Sequence, residues 1–470
     1  LWIAAEMADL YAAALEAGDP DALCRVARLC LRYRGGQDAR SLADRYFIGE
    51  DAAASALSRL VSEGRAVTSA GVTYHEQVWA GAQRDTLRAQ RAAVETLPPE
   101  RFAALLAQGV RSAGSPREQT ARALDSLRGQ PFPFKMWESV LLPARVNGYQ
   151  SRLLDECLAA GEFVWQMREG ALAFYRAEDI DWDAAPEPPA RPLREDERIL
   201  LTALERRGAS FSSALSPLLG GRSALDPLLS LAQDGLVRAD SLLPLRVSQE
   251  VLSDSRVAGK RLARARASAL SAGRWELARG ERAPSAEALL DRAFDHCPLL
   301  CRDTVTGLSW AQAVELLRVW EYTGRARRGY FVRGLPGMQF IRTKDYDRVR
   351  RALDAPHAPA LWLCASDPAQ PYGKALPHAP GRDFLRVPGT AVCLMEGRAV
   401  ACAERQGEVL RVFEPDLAAQ AAAALARDHQ SRRVFPERDK LTVKKYPPEA
   451  AAALQDAGFT RVMLDFVLYR

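Results

Sequence analysis

The chain has 470 residues, 48% of them hydrophobic and 26% charged, with 64 Lys+Arg against 59 Asp+Glu for a formal net charge of +5. That apolar content excludes a disordered chain, the length implies three or more compact units, and so mild a basic excess does not by itself demand a nucleic acid. No run approaches the roughly 20 apolar residues that a membrane span needs, and no membrane partner is expected.

The eight irregularly spaced cysteines suit a reduced protein rather than a disulfide framework, and the expected location is cytoplasmic, with the nucleoid. With Leu1 in place of a methionine, the chain is expected to be a piece of a longer polypeptide or a trimmed one.

From the N-terminus, DALCRVARLCLRY (21–33) has helical apolar spacing, and Gly35 and Gly36 break it. Helices over 38–46 and 50–63 then lead into a short alternating ribbon over 65–75. A helix closed by glycine and answered by a β-ribbon is how a winged helix-turn-helix ends: a recognition helix, then its wing. With a trailing helix around 78–95, this gives a first module over 1–95.

The same grammar recurs in LDECLAAGEFVWQMREGALAFY (154–175), in LLSLAQDGLVRADSLLPLR (228–246) and in the run that ends RARRGYFVRGLPGMQF (325–340). A second module is expected over 96–178, with helices near 100–108, 117–128 and 150–160 and a wing at 162–175. A third is expected over 194–250 and a fourth over 284–356. A Pro-rich acidic linker (179–193) and a basic linker (251–283) separate them.

Beyond Pro356 the pattern turns to short β-rich runs broken by Pro, Gly and Asp, which predict a small antiparallel barrel over 357–414. A C-terminal α/β segment over 415–470 closes the chain. The expected fold class is α+β: tandem winged helix-turn-helix modules, a small antiparallel β-barrel and a terminal α/β piece.

The chemistry concentrates in the fourth module. Its recognition helix (309–324) offers Gln312 and Arg318, and its wing offers Arg325, Arg327, Arg328 and Arg333 around Tyr330 and Phe331. Guanidinium groups there can neutralise phosphates while an aromatic ring stacks on an unpaired base. A wing packed on the next module, with solvated arginines, would show the same residues, and the sequence leaves both open.

Arg256, Lys260, Arg261, Arg264, Arg266, Arg274 and Arg279 in the basic linker either line a strand-tracking groove or form a solvated face. The first recognition helix opens with Glu50 and Asp51, which repel phosphate and suit a helix N-terminus, so that module is expected to be structural. His296-Cys297-x₃-Cys301 lacks the second ligand pair that a tetrahedral metal requires. No metal and no other cofactor is expected.

Four stretches, in this order, resemble the C-terminal region of the large helicase-related family of bacterial superfamily 2 DNA helicases. They are AGRWELA with Gly273, Arg274 and Trp275; GRARRGYFVRGLPGMQF with DYDRVRRAL; SDPAQPYGKALP (366–377); and the terminal LTV and LQDAGFTRVMLDFVLYR. The resemblance covers essentially the whole chain. It implies tandem winged helices fused to a β-barrel, an architecture similar to crosslink-repair DNA glycosylases. It also implies a DNA-repair role on single-stranded or lesion-containing DNA, helicase motor domains in cis or trans as partners, and a homo-oligomer.

Some family members carry uracil DNA glycosylase activity in this region, and the resemblance extends a metal-free version of it to this chain. On that basis Asp465, in MLDFVLYR, is the candidate catalytic carboxylate, with Asp367 and Asp383 as alternatives. A carboxylate would stabilise the positive charge that develops on the sugar or orient the attacking water, and the base must first be flipped out. An aspartate ahead of a terminal strand is also an ordinary turn residue.

There are departures. No GxxxxGK[ST] loop occurs, so this chain has no ATPase motif. The Gln-hydrophobic-Gln triplet of the crosslink glycosylases is matched only by His75-Glu76-Gln77, whose centre is charged. The alternative to a DNA-binding and glycosylase role is a non-catalytic assembly or oligomerisation platform for the motor.

Overall fold

Asp19 accepts from the Asp21 amide and Pro20 occupies the first turn, and together they start the first long helix. In the computed structural model, which describes residues 3–92, 96–168, 170–184, 188–253, 273–354 and 360–470, that helix lies in the smaller of two units, Leu1–Glu95 and Thr96–Arg470. The smaller unit runs α1 (Ala8–Leu15), α2 (Pro20–Arg34), α3 (Ala39–Tyr46), α4 (Glu50–Ser62), β1 (Ala66–Ser69), β2 (Val72–His75) and α5 (Glu76–Ala92). Val26, Leu31, Leu42, Leu57 and Leu60 form its core. Gly36 is required where α2 meets the hairpin, because a Cβ there would lie 2.4 Å from the Tyr74 ring. The three-helix-plus-hairpin order expected from the sequence is present.

The larger unit begins with α6 (Pro99–Gln108) and α7 (Pro116–Ser126), the latter opened by a Ser115/Glu118 capping box. Next come α8 (Phe134–Met136), a π-helical turn (Trp137–Leu141), α9 (Leu142–Arg145), α10 (Ser151–Ala159) and the hairpin β3 (Phe163–Arg168) and β4 (Ala171–Arg176). The stretch expected as an acidic linker is tied down: Arg282 N donates to Asp179 O (2.8 Å), and Asp181 N to Gly280 O (3.1 Å). Farther on, Arg191 grips the buried Glu197 carboxylate at 2.9 Å and holds it well below the usual carboxylate range.

The following segment carries α11 (Glu195–Arg207), β5 (Ser210–Phe211), α12 (Ser212–Leu215), α13 (Leu225–Gln233), β6 (Val237–Ala239), α14 (Leu243–Ser253) and β7 (Arg274–Leu277). Two expectations are corrected here. The stretch LLPLR, expected as the return strand of a wing, enters helix α14. The return strand is β7, the central strand of a sheet ordered β5-β7-β6. The basic linker expected over 251–283 therefore contains a core strand. Trp275 is fully buried in it, and Asp240 closes the turn by accepting from the Arg274 amide at 2.7 Å. The pair of core positions in RWEL is the signal for it in the sequence. Basicity masks it.

Then come α15 (Ala286–His296), β8 (Leu299–Leu300), α16 (Trp310–Tyr322), β9 (Ala326–Gly329), β10 (Gln339–Arg342) and α17 (Tyr346–Asp354), with sheet order β8-β10-β9. Last are β11 (Leu361–Cys364), β12 (Ala391–Met395), β13 (Arg398–Glu404), β14 (Val409–Val412), α18 (Ala418–Gln430), β15 (Lys440–Val443), α19 (Ala450–Asp456), β16 (Thr460–Val462) and β17 (Asp465–Tyr469).

The expected barrel is not formed. β11 to β14 make an open four-stranded antiparallel meander, and β15-β17-β16 make a separate three-stranded sheet. The reason is that both faces of the meander are covered. Trp362, Cys393 and Ala401 pack with Leu425 of α18, while Leu361, Leu363, Val392 and Leu394 share a core with Phe102 of α6 and Phe340 of β10. A sheet whose two faces are both buried by neighbours gains nothing apolar by closing on itself. The β12–β13 turn approaches α6 so closely that a Cβ on Gly397 would lie 1.8 Å from Glu100 O. The fold is therefore mixed α/β with winged-helix domains and small sheets. No described helix is long and apolar enough to cross a membrane.

Candidate nucleic-acid interface

Helix α16 starts at a capping box in which Ser309 and Gln312 satisfy each other, and Gly324 in the left-handed region ends it. Ala313, Leu317 and Trp320 face the core. The opposite face carries Arg318, Val319 and Tyr322, the last 93% exposed. Gln312 is exposed, and its Oε1 accepts from the Ser309 amide (3.1 Å) and hydroxyl (2.8 Å), so the side chain also serves the cap.

The wing arginines divide into two groups. Arg325 pairs with Glu287 at 3.0 Å and lies over the Trp320 ring at 4.0 Å, so it fastens the root of the wing to the helices. Arg328 pairs with Glu321 at 3.2 Å. Arg327 lies over the Tyr346 ring at 4.1 Å with its guanidinium in no ion pair among the described residues. The exposed side chains of Arg318 and Arg333 likewise form no ion pair or hydrogen bond among the described residues. Glu315 and Glu321, each three positions from Arg318 on the same helix, are the nearest carboxylates in sequence, and Glu321 is taken by Arg328.

Beneath these groups the wing is rigid. Buried Gln339 accepts from the amides of Phe331 (2.8 Å) and Val332 (2.9 Å) and donates to Val332 O (2.6 Å). Phe331 packs edge-on to Tyr346, with Tyr330 half-buried beside it. Leu97 adds a strand-like pair of bonds, donating to Phe331 O and accepting from the Arg333 amide. Bonding of the wing to Leu97 of the second module and exposed arginines without ion pairs thus coexist. Arg261, Arg264 and Arg266 lie outside the described residues, as do Arg256 and Lys260. Arg274 is in β7 and pairs with Asp240, and Arg279 donates to Ala184 O.

Tyr322 is not among the residues that the sequence singles out. Its signal there is phase: it falls off the core positions 313, 317 and 320 and on the face of Arg318.

The catalytic candidates separate clearly. Asp367 is fully buried and bound by Arg145 at 2.7 and 2.9 Å, so it is committed to structure. Asp383 is exposed in a loop. Asp465 is half-buried at the start of β17, opposite Val462, and its carboxylate makes no ion pair or hydrogen bond among the described residues.

A cleft of about 960 Å³ opens among α7, α15 and the loop after Asp367, within the usual size of a small-ligand site. Arg122, Arg128, His296, Thr306, Gln370 and Lys374 line it; Asp465 does not. Arg128 pairs with Asp179, whereas Lys374, exposed at the cleft, has no ion pair among the described residues. His296 shares hydrogen bonds with the Thr306 hydroxyl (2.7 Å) and Arg128 O (2.9 Å), which assigns Nδ1 as acceptor and Nε2 as donor. Burial pushes its imidazole down to about 4 and the Cys297 thiol up to about 12. Cys297 donates to Leu299 O, so neither side chain is turned toward a shared ion.

Residues 97–180 and 279–361 each match the family described as large helicase-related protein, winged-helix domain. The chain is 31% identical over 454 residues to "Lhr helicase/ probable uracil glycosylase" of Mycolicibacterium smegmatis, covering 84% of this chain and 29% of that protein. It is 27% identical over 501 residues to "Lhr helicase/uracil glycosylase" of Escherichia coli, covering 92% and 32% respectively. The chain thus spans about a third of the length of these relatives. Among solved structures it is similar to the Streptomyces sahachiroi DNA glycosylase AlkZ over 72% of this chain and 99% of that one. The identity there is 12% and the TM-score 0.35, too loose a superposition to carry an argument.

Proposed function

The chain belongs to the large helicase-related family and carries its C-terminal winged-helix region, and from that premise we propose that it is the DNA-engaging part of a repair helicase. It acts on single-stranded or lesion-containing DNA, with helicase motor domains in cis or trans as its partners. The observation that carries this reading is a division of labour in one module. Arg325 and Arg328 are neutralised by Glu287 and Glu321, while Arg318, Arg327 and Arg333 are without ion pairs among the described residues, in the module that also exposes Tyr322. Unpaired guanidinium groups meet phosphates, and an exposed tyrosine gives an unpaired base a surface to stack on.

Fluorescence anisotropy with labelled single-stranded and duplex DNA of equal length tests this. The expected result is tighter binding to the single strand, weakening steeply with salt. Equal, salt-insensitive binding of both would contradict it.

A second reading has its own observation. The carboxylate of Asp465 is unpaired among the described residues, as a group must be if it is to face a developing oxocarbenium ion or an attacking water. The names of both relatives include uracil glycosylase, which supports a metal-free cleavage of the uracil N-glycosidic bond here as well. In that reading Asp465 stabilises the charge on the sugar while water adds at C1′ and uracil departs.

A further inference from the structure

The β16–β17 turn places three apolar side chains in succession at the surface: Val462 is 48% exposed, Met463 90% and Leu464 74%. Exposed apolar residues are ordinary singly, but three in a row at the end of a hairpin are a different matter. Met463 also has a φ of +57°, in the left-handed region where glycine or asparagine is favoured. Folding alone therefore selects against methionine here twice, by exposure and by backbone. An observed outlier of this kind points toward function.

The tip is also braced. Arg461 Nε donates to Met463 O at 3.3 Å, and the Tyr446 hydroxyl donates to Leu464 O at 3.1 Å while its ring packs edge-on to Phe466. Both tip carbonyls are held, so the two side chains project from a fixed backbone.

Three cations, Lys444, Lys445 and Arg461, stand close to the tip in sequence or strand register. β15 runs antiparallel to β17 with Val443 opposite Phe466, which brings Lys444 and Lys445 to the tip end of the sheet. Lys444 pairs with Glu408, whereas Arg461 and Lys445 are exposed and in no ion pair among the described residues. Among carboxylates, Glu408 is already paired, Asp465 follows Leu464 directly, and Glu449 is exposed three residues after Tyr446.

We propose that this hairpin tip is a DNA wedge: Met463 and Leu464 enter the base stack, and Arg461 and Lys445 meet the flanking phosphates. Apolar wedges that unstack one base step, flanked by cations, are a recognised means of opening DNA. Two exposed cations without ion pairs among the described residues, Arg461 and Lys445, favour a nucleic acid over an apolar protein surface as the occupant. Asp465, next in sequence to Leu464, is thereby brought to the nucleotide that the wedge displaces. The inference rests on the DNA-engaging reading above.

The test uses the full chain and a duplex carrying one 2-aminopurine, whose fluorescence rises when it unstacks, with anisotropy of the same duplex measuring binding. Wild-type protein is expected to raise the fluorescence severalfold at saturation. Met463→Asn/Leu464→Ser, which suits the turn and removes the apolar bulk, should abolish the rise and shift affinity by less than about tenfold. Met463→Leu/Leu464→Met should keep it. If wild-type protein binds the duplex with no rise, the wedge is wrong and DNA engagement stands. If it binds no DNA at all, both fall. If the polar pair keeps the rise but lowers the sedimentation coefficient, the tip is a contact between copies, and the proposal is overturned.

Discussion

The Arg145 guanidinium donates two hydrogen bonds to the Asp367 carboxylate, at 2.7 and 2.9 Å, across 222 positions of sequence. Both side chains are buried, and Asp367 also accepts from the Ala369 amide at 2.8 Å. Just beyond, buried Gln370 bonds Ala365 and Tyr372, and the Tyr372 hydroxyl donates to Gly397 O at 2.7 Å. The pair thus docks the SDPAQPYGKALP loop and the four-stranded meander onto the winged module that contains α9. A second pair, Arg111 with buried Asp428 at 2.9 Å, repeats the clamp at α18.

Removing one partner of such a pair leaves a buried charge uncompensated. Asp367→Ala is expected to destabilise the larger unit by about 3–5 kcal/mol, and Arg145→Met/Asp367→Leu to recover most of the loss. Urea unfolding curves read this directly. A single variant as stable as wild type would show that the pair does not hold the loop.

Two buried histidines make stability depend on pH. His296 and the fully buried His429, the latter beside Arg470, are each pushed by burial to about 4, below an ordinary value near 6.5. Neutral in the fold and protonated when unfolded, they contribute stability that is complete above about pH 6.5 and lost as pH falls toward 4. At pH 5 each costs roughly 2 kcal/mol. The urea midpoint should fall between pH 7.5 and 5, and fall less in His296→Gln. A midpoint constant over that range would contradict the assignment.

Tyr322 is so exposed that folding does not need it. Tyr322→Ala is expected to leave the melting temperature unchanged and to weaken single-stranded DNA binding by about 1–3 kcal/mol, the value of one stacked base. Loss of stability with unchanged affinity would place the residue in the fold instead.

For the chemical reading, the assay is end-labelled single-stranded DNA carrying one uracil, incubated in EDTA and then treated with alkali. Cleavage at the uracil, absent from a thymine control and lost in Asp465→Asn, is the expected outcome. An intact strand under protein excess would remove the glycosylase reading and leave binding.

Much of the fold is legible in the sequence because local rules and tertiary structure agree. The helices expected over 21–33, 38–46 and 50–63 are present as Pro20–Arg34, Ala39–Tyr46 and Glu50–Ser62, and Gly324 ends α16 as its position in the sequence implies. The barrel misleads because the continuous apolar runs in ALWLC and TAVCLM report two buried faces and say nothing of what buries them; here α18 and α6 do. The wing of the third segment misleads for a related reason. Its two strands, Val237–Ala239 and Arg274–Leu277, are separated by a helix, and local pattern cannot pair strands that far apart. At the candidate site, residue type finds the arginines but not which of them are free. Glu287 and Glu321 decide that for Arg325 and Arg328, and only the fold brings Glu287 to Arg325.

DNA is expected to meet the cations of α16 and its wing that have no ion pair among the described residues. The most direct measurement is the slope of log affinity against log salt for single-stranded DNA, wild type beside Arg318→Glu/Arg327→Glu/Arg333→Glu. If these three meet phosphates, the variant binds at least tenfold more weakly and its slope is shallower by about 2, close to 0.7 for each phosphate no longer neutralised. An unchanged slope and affinity would mean that DNA, if bound, lies on another face.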